Sequence, residues 1–312
     1  MTQAVGFIGL GVMGSALSAH LLAAGWEVAG YDVDPGALAA HQDRGGTGVA
    51  SSAEVARHAE IVVTSLPTAQ ALRDVSRELA AHPGRVVIET STLPLTVKEE
   101  ARDFLAERGC VLLDCPLSGT GGQAQRKDVV AYLSGPADAK ARAEPVLRAM
   151  TRGIHDVGAF GNGSAVKFIA NLLVAVHNAA AAEALVLAER AGLDLATVLA
   201  AVSDGAGTSR MFEVRGPAMA AADYSGPGVR TSSMREVPAP SLTAASTAVR
   251  SSPARSASTS ASAAAVLCTA TSRLAMNFTF DPLPNAPTSW MPRVIARTTG
   301  SARALASAGP LR

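Results

Sequence analysis

The sequence predicts an α/β fold, in which a doubly wound parallel sheet is followed by a long linker helix and an incomplete all-helical domain. Three observations predict this arrangement. A glycine-rich turn joins the first apolar strand to a helix, strands and helices then alternate to about residue 160, and a proline-free run extends over 161–191. Such alternation is typical of a parallel sheet with helices on both faces.

The first strand ends in a glycine fingerprint formed by Gly9, Gly11 and Gly14. Gly9 allows a tight turn, Gly11 lets the backbone approach phosphates, and Gly14 lets the helix pack closely on the strand. The helix N-terminus offers free N–H groups and positive potential to an anion. This turn predicts a Rossmann-type dinucleotide site made of Gly9, Leu10, Gly11, Val12, Met13 and Gly14.

The second predicted strand ends at Asp32, eighteen residues after Gly14. A carboxylate at this point binds the adenosine ribose diol and repels a 2′-phosphate, so NAD is favoured over NADP. The alternative is that Asp32 is a solvated turn residue. Asp34, two residues later, could also be mistaken for the acid that binds the ribose.

Four β-rich runs follow at 59–65, 85–89, 111–114 and 129–134, with helical stretches at 68–80 and 97–108. Ligands bind beyond the carboxyl ends of strands in such sheets. The loops after these strands carry small hydroxyl and glycine residues, and we expect the ligand there.

Composition limits the function classes. The 312 residues carry a formal net charge of +1, which gives no electrostatic case for nucleic acid. No apolar run is long enough to span a bilayer and no leader precedes the first strand, so we expect a cytoplasmic protein and no membrane partner. Cys110, Cys115 and Cys268 form no CxxC pair, and neither they nor the histidines predict a metal site or a disulfide.

The long run from 161 predicts a helix of about 40 Å at 1.5 Å per residue, long enough to link two domains. Lys167 and Asn171 stand four residues apart and therefore share one face of it. Asn178 returns to the same face after three turns.

Three motifs in this order, the glycine turn, the segment 114–119 and the segment 161–171, resemble the β-hydroxyacid dehydrogenase family (3-hydroxyisobutyrate dehydrogenase-like). The resemblance covers residues 1 to about 225. It implies an oxidoreductase that transfers a hydride between NAD and a small 3-hydroxyacid or its semialdehyde or keto form. It also implies a homo-oligomer.

The resemblance assigns roles to residues of this chain. Lys167 would be the general acid/base, and a desolvated lysine can take the hydroxyl proton that hydride transfer releases. The substrate would be held by Ser118, Gly119, Thr120 and Asn171, and the cofactor would also contact Leu66, Pro67 and Thr92. Thr120 stands where many members have glycine.

The chain departs from the family after about residue 225. No lysine follows Lys167, and a mixture rich in serine, alanine and arginine replaces the amphipathic helices that members have there. We therefore expect a dinucleotide-binding domain over 1–160, a linker helix and the start of a helical domain over 161–225, and a low-complexity tail over 226–312. The tail is either a genuine disordered segment or the product of a frameshift near 225–235, which we favour.

Two other functions remain open. An imine reductase shares this architecture, although those enzymes usually carry another residue in place of Lys167. A dinucleotide-binding protein without catalysis would follow if the altered helical domain left no substrate cleft, and the apolar residues Leu172, Leu173 and Leu185 would then be exposed.

Overall fold

The computed structural model describes residues 4–222. Its first part is a six-stranded, all-parallel sheet in the order β3-β2-β1-β4-β5-β6. The elements are β1 (Ala4–Ile8), α1 (Val12–Ala23), β2 (Glu27–Tyr31), α2 (Pro35–Asp43), β3 (Thr47–Gly48), α3 (Ser52–His58), β4 (Ile61–Thr64), α4 (Ala69–Leu79), β5 (Val86–Glu89), α5 (Leu95–Ala106) and β6 (Val111–Asp114).

Successive strand residues point into two different hydrophobic clusters. Phe7 and Ile88 belong to one cluster, whereas their chain neighbours Ile8 and Val87 belong to the other. This period of two is what a strand buried on both faces requires. The doubly wound parallel sheet predicted from the sequence is confirmed.

A second, three-stranded sheet follows, with the order β7-β8-β9. It contains β7 (Leu117–Ser118), α6 (Gly121–Gln125), β8 (Val130–Leu133), α7 (Ala137–Met150) and β9 (Gly153–Asp156). β7 runs antiparallel to β8, and β8 runs parallel to β9. The sequence analysis counted 129–134 among the strands of the parallel sheet, which is wrong. Gly119, directly after β7, has a φ of +149° that favours glycine. The chain turns back between β7 and β8, so that β8 pairs with β7 and meets β6 through a bridge between Asp114 and Ser134.

The predicted long helix is α8 (Asn162–Arg190), followed by α9 (Leu195–Asp204) and α10 (Arg210–Ala220). A small core joins these helices around Leu185 and Phe212, so the expectation that Leu185 is exposed is wrong. Leu172 and Leu173 are exposed as expected, at 43% and 51%.

α8 also corrects the statement that no segment is long and apolar enough to span a bilayer. By length and composition alone, α8 is long and apolar enough to cross a bilayer. That is weak evidence, because the central helix of a soluble protein passes the same test. In this chain α8 packs on β8 and on α10.

Cys110 and Cys115 are buried free thiols, and burial raises the pKa of Cys115. Cys268, the tail over 226–312 and the frameshift hypothesis lie outside the described residues.

Candidate active site

The glycine turn between β1 and α1 has the geometry that a pyrophosphate needs. Gly9 has φ +90°, and a Cβ there would collide with the Ser65 carbonyl; a Cβ on Gly14 would collide with the Gly9 carbonyl. A Cβ on Gly11, in contrast, would meet no atom within 4 Å. Gly11 also gives α1 no side-chain cap, which leaves the first N–H groups of the helix free for an anion. The turn therefore fits a dinucleotide.

Asp32 lies directly beside this turn. Its carboxylate accepts hydrogen bonds from the Leu10 N–H at 2.5 Å and from the Asp34 N–H at 2.9 Å. Asp34 is occupied elsewhere, because its carboxylate caps α2 by accepting from the Gly36 N–H at 2.9 Å. Of the two acids that the sequence left open, Asp32 is the one at the glycine turn.

The loops after β4 and β5 are tied to each other. The Leu66 N–H donates to Ser91 Oγ at 2.7 Å, and the Ser91 N–H donates to the Glu89 carboxylate at 3.0 Å. Thr64 Oγ1 donates to the same carboxylate at 3.3 Å. This link fixes the spacing of the two loops that contain Leu66, Pro67 and Thr92.

Sequence reasoning missed Glu89 as the centre of this link. Its side chain is fully buried, and the pKa of its carboxyl is raised, with burial as the main cause. The Lys98 ammonium and the bonds from Ser91 oppose the rise, and Asp114 adds to it. An acid at the end of an apolar strand was the one signal available in the sequence.

Lys167 lies in the second turn of α8. Its Nζ donates a hydrogen bond to the Leu117 carbonyl at 2.5 Å, and burial lowers the pKa of the amine below the usual 10.5. Ser118 follows Leu117 directly on β7. The fold therefore brings the predicted base and the predicted substrate loop together.

Thr120 has a role that the sequence did not reveal. It caps α6 in a capping box: its hydroxyl accepts from the Gln123 N–H at 3.3 Å, while the Gln123 side chain accepts from the Thr120 N–H at 3.0 Å. This bond fixes the end of the loop that carries Ser118 and Gly119.

Asn171 follows Lys167 by one turn of α8, as the spacing predicts, and its side chain is half-buried. Asn178 is buried on the same helix, and its Oδ1 has no hydrogen-bond partner within the part of the chain that the structure describes. Asn178 lies eleven residues, or about 16 Å, further along the helix than Lys167, so the two side chains are too far apart to act together.

A buried ion pair lies beneath the start of α8. Lys98 Nζ of α5 is 2.9 Å from Asp114 Oδ1 at the end of β6, and both side chains are 0% exposed. The sequence analysis named neither side chain as functional. Over residues 4–222 no cluster of three or more His, Cys, Asp or Glu side chains could hold a metal ion.

The parallel sheet, the glycine turn with Asp32 beside it and the lysine of α8 are typical of a nicotinamide-nucleotide-dependent oxidoreductase. Residues 4–159 match the family described as the NAD binding domain of 6-phosphogluconate dehydrogenase. Residues 161–236 match the family described as the NAD-binding domain of NADP-dependent 3-hydroxyisobutyrate dehydrogenase. The chain belongs to the β-hydroxyacid dehydrogenase family, as its motifs predict.

Named relatives agree with this assignment. The chain is 38% identical over 230 residues to the L-threonate dehydrogenase of Cupriavidus necator, covering 72% of this chain and 77% of that protein. It resembles the crystal structure of a 3-hydroxyisobutyrate dehydrogenase from Salmonella typhimurium with a TM-score of 0.65 and 34% identity, covering 71% and 80% of the two chains. A Streptomyces aurantiacus imine reductase gives a TM-score of 0.61 at 25% identity, with 72% and 80% coverage. This protein is an oxidoreductase with an NAD(P)-binding domain, as predicted.

Proposed function

We propose that the protein is an NAD-dependent dehydrogenase of small 3-hydroxyacids in which Lys167 is the general acid/base. The observation that carries the proposal is the position of the Lys167 amine, bonded to the Leu117 carbonyl beside Ser118 and desolvated enough to lower its pKa. A lysine with a lowered pKa can be neutral at a pH where an ordinary lysine is charged.

The roles of the remaining residues follow from their positions. Nicotinamide, when bound, supplies the hydride chemistry by accepting or donating the hydride. Lys167 Nζ takes the proton of the substrate hydroxyl during oxidation and returns it during reduction. Asn171, one turn along the same helix, orients the reacting hydroxyl through its side-chain amide.

We assign the substrate carboxylate to the loop after β7. Ser118 offers its hydroxyl there, and Gly119 holds the left-handed φ of +149° that the reversal needs. A Cβ at Gly119 would lie 2.6 Å from Val129 Cγ1, so glycine is required for packing as well. Thr120 closes the loop by capping α6.

We propose NAD rather than NADP as the cofactor. Asp32 places a carboxylate beside the glycine turn, where it accepts from the ribose diol and repels a 2′-phosphate. The next residue, Val33, is 86% exposed and offers no cation to a phosphate. Leu66, Pro67 and Thr92 line the cofactor from the loops after β4 and β5.

The proposal extends to organisation and location. The dinucleotide-binding domain spans 1–160 and the helical domain begins at 161, near the start of α8 at Asn162. Ile169 and Leu173 are exposed on α8, and they would serve a homo-oligomer contact. The substrate is a small hydroxyacid, neither nucleic acid nor membrane is a partner, and the enzyme is cytoplasmic.

The test uses the full 312-residue chain. NADH binding is followed by the fluorescence of the reduced nicotinamide, and turnover by its absorbance, with L-threonate, 3-hydroxyisobutyrate and other short 3-hydroxyacids. Turnover that Lys167→Ala abolishes supports the proposal. NADH binding without turnover of any 3-hydroxyacid would instead identify a non-catalytic dinucleotide-binding protein, and reduction of a cyclic imine alone would identify an imine reductase.

A further inference from the structure

The buried Lys98–Asp114 pair lies at the point where the helix that carries Lys167 meets the sheet. Lys98 comes from α5, on the outside of the parallel sheet, and Asp114 is the last residue of β6. Neither side chain has any exposed surface. An ion pair placed this deep requires a complete set of hydrogen bonds around it.

On the Asp114 side of the pair, the first turn of α8 supplies these bonds. The Ser164 N–H donates to Asp114 Oδ2 at 2.7 Å, and Ser164 Oγ donates to Asp114 Oδ1 at 2.8 Å. The neighbouring Gly163 N–H donates to Ser134 Oγ at 3.1 Å, and Ser134 Oγ donates to the Asp114 carbonyl at 2.8 Å. Asp114 therefore caps a helix that lies fifty residues further along the chain.

The first turn of α8 lies so close to the two sheets that there is no room for a side chain at position 163. A Cβ on Gly163 would lie 2.6 Å from the Tyr132 carbonyl and 2.7 Å from the Asp114 carbonyl. The backbone of α8 thus rests directly on the ends of β6 and β8, which leaves little freedom for the helix to slide or rotate.

Asp114 lies close to both partners of the Lys167 hydrogen bond along the chain. Lys167 follows Gly163 by four residues and lies on the same face of α8. Its acceptor, the Leu117 carbonyl, lies three residues after Asp114. The carboxylate therefore fixes the first turn of the helix that carries the amine, and it does so three residues before the acceptor.

The Lys98 ammonium stabilises the buried Asp114 carboxylate by compensating its charge. Without its ammonium, the Asp114 carboxylate would be a buried charge without a cation, beside the buried Glu89 whose pKa it already raises. Breaking a buried pair leaves an uncompensated charge, and the structure around it, including the first turn of α8, would rearrange.

We propose that Lys98 and Asp114 act as positioning residues that hold the Lys167 amine in place for proton transfer. The inference rests on the proposed function, because it gives Lys167 its catalytic role. A displacement of the amine by about 1 Å costs about 10²-fold in rate.

The main test compares Lys98→Met, and the mild variant Ser164→Ala, with the control Glu100→Gln. Glu100 lies on the same helix as Lys98 and pairs with Arg73 on the surface. The chain has four lysines, which makes the Lys167 peptide easy to follow. Its rate of acetylation by acetic anhydride is measured by mass spectrometry across a pH series, with the Lys127 and Lys140 peptides as internal references.

We expect the pH midpoint of Lys167 acetylation to rise toward that of an ordinary lysine in Lys98→Met, and to rise less in Ser164→Ala. The kcat of Lys98→Met should fall by about 10²-fold while the Kd for NADH is unchanged. Unfolding would also expose Lys167 and move this midpoint, so the comparison is made only between variants whose circular dichroism and thermal midpoint match those of the unsubstituted protein. The double variant Lys98→Met/Asp114→Asn should recover part of the loss, because the amide oxygen it introduces still accepts from Ser164 and carries no charge.

The inference is overturned if the Lys167 midpoint of Lys98→Met equals that of Glu100→Gln. Where Lys98→Met does not fold, an unchanged midpoint in Ser164→Ala overturns it. These results are separable from a failure of the proposed function, which shows itself as full turnover in Lys167→Ala. The acetylation measurement needs no turnover, so it tests the positioning of the amine separately from the proposed function.

Discussion

Lys167 Nζ donates a hydrogen bond to the Leu117 carbonyl at 2.5 Å, although the two residues are fifty positions apart in the chain. This bond joins the helix of the second part of the chain to the short sheet that follows the dinucleotide-binding strands. It also places the amine beside Ser118. Burial at this junction lowers the pKa of the amine, and the first two predictions depend on that shift.

Replacing Lys167 by alanine should lower turnover strongly and spare cofactor binding. General acid/base catalysis contributes about 10²- to 10⁴-fold, so kcat should fall by that factor. The Kd for NADH, measured by fluorescence titration, should stay within about twofold because the glycine turn lies on other elements. Lys140→Ala, which removes a lysine that pairs with Asp156 on the surface, is the control and should leave kcat unchanged. Loss of NADH binding in Lys167→Ala would indicate misfolding instead.

The pH dependence should follow the lowered pKa of Lys167. Oxidation needs the neutral amine, so kcat/KM for the hydroxyacid should rise with pH through a midpoint below 10.5. Reduction needs the protonated amine, so its rate should fall over the same range. Steady-state rates in both directions across pH test this, and a midpoint at or above 10.5 in oxidation would contradict a desolvated base.

Asp32→Ala should weaken NADH binding and reduce discrimination against NADPH. Removing a hydrogen bond to a charged group costs about 1.5–3 kcal/mol, which corresponds to about tenfold or more in Kd. Asp34→Ala is the matched control: that carboxylate caps α2, so its loss should cost about 1 kcal/mol of stability without changing cofactor preference. Titration of both variants with NADH and NADPH gives the preference of each for one cofactor over the other. If Asp34→Ala changes this preference as much as Asp32→Ala does, Asp32 does not set it.

Gly11→Ala should separate folding from dinucleotide binding. The added Cβ would meet no protein atom within 4 Å, so the thermal midpoint should scarcely change. The methyl group would occupy the space through which the backbone approaches the pyrophosphate, so the Kd for NADH should rise by at least about tenfold. Gly153→Ala, where a Cβ also meets nothing, is the control for the substitution itself. Unchanged NADH affinity in Gly11→Ala would place the pyrophosphate elsewhere.

The stability of Glu89→Gln, relative to the unsubstituted protein, should increase as the pH rises. The pKa of the Glu89 carboxyl is raised on folding by burial, so its contribution to stability is present below its ordinary value of 4.5 and is lost as the pH rises through the folded value. Glutamine, which cannot ionise, escapes that loss. Denaturant unfolding of both proteins at about pH 5 and at about pH 8 gives the comparison. A stability difference that does not grow with pH would mean that Glu89 ionises without penalty.

Much of the dinucleotide site could be predicted because its determinants are local. Gly9, Gly11 and Gly14 meet specific backbone requirements within six residues, and the strand that ends at Asp32 follows at a fixed distance. The pair Lys167 and Asn171 is equally local, since helical periodicity alone places both on one face. Two errors arose where long-range pairing decides the outcome: β8 joined the second sheet through β7, and Leu185 became buried against Phe212.

The sequence by itself determined the class of this protein, because a strand, a glycine turn and a helix carry their signal in neighbouring residues. Only the tertiary structure decided how the site is held together. Lys98, Asp114 and Ser164 are far apart in the chain, and although Asp114 and Ser164 lie in motif segments, no local pattern indicates that the three side chains meet. Folding brings them into contact in an apolar layer, where a buried charge is stable only if its partners are fixed in place.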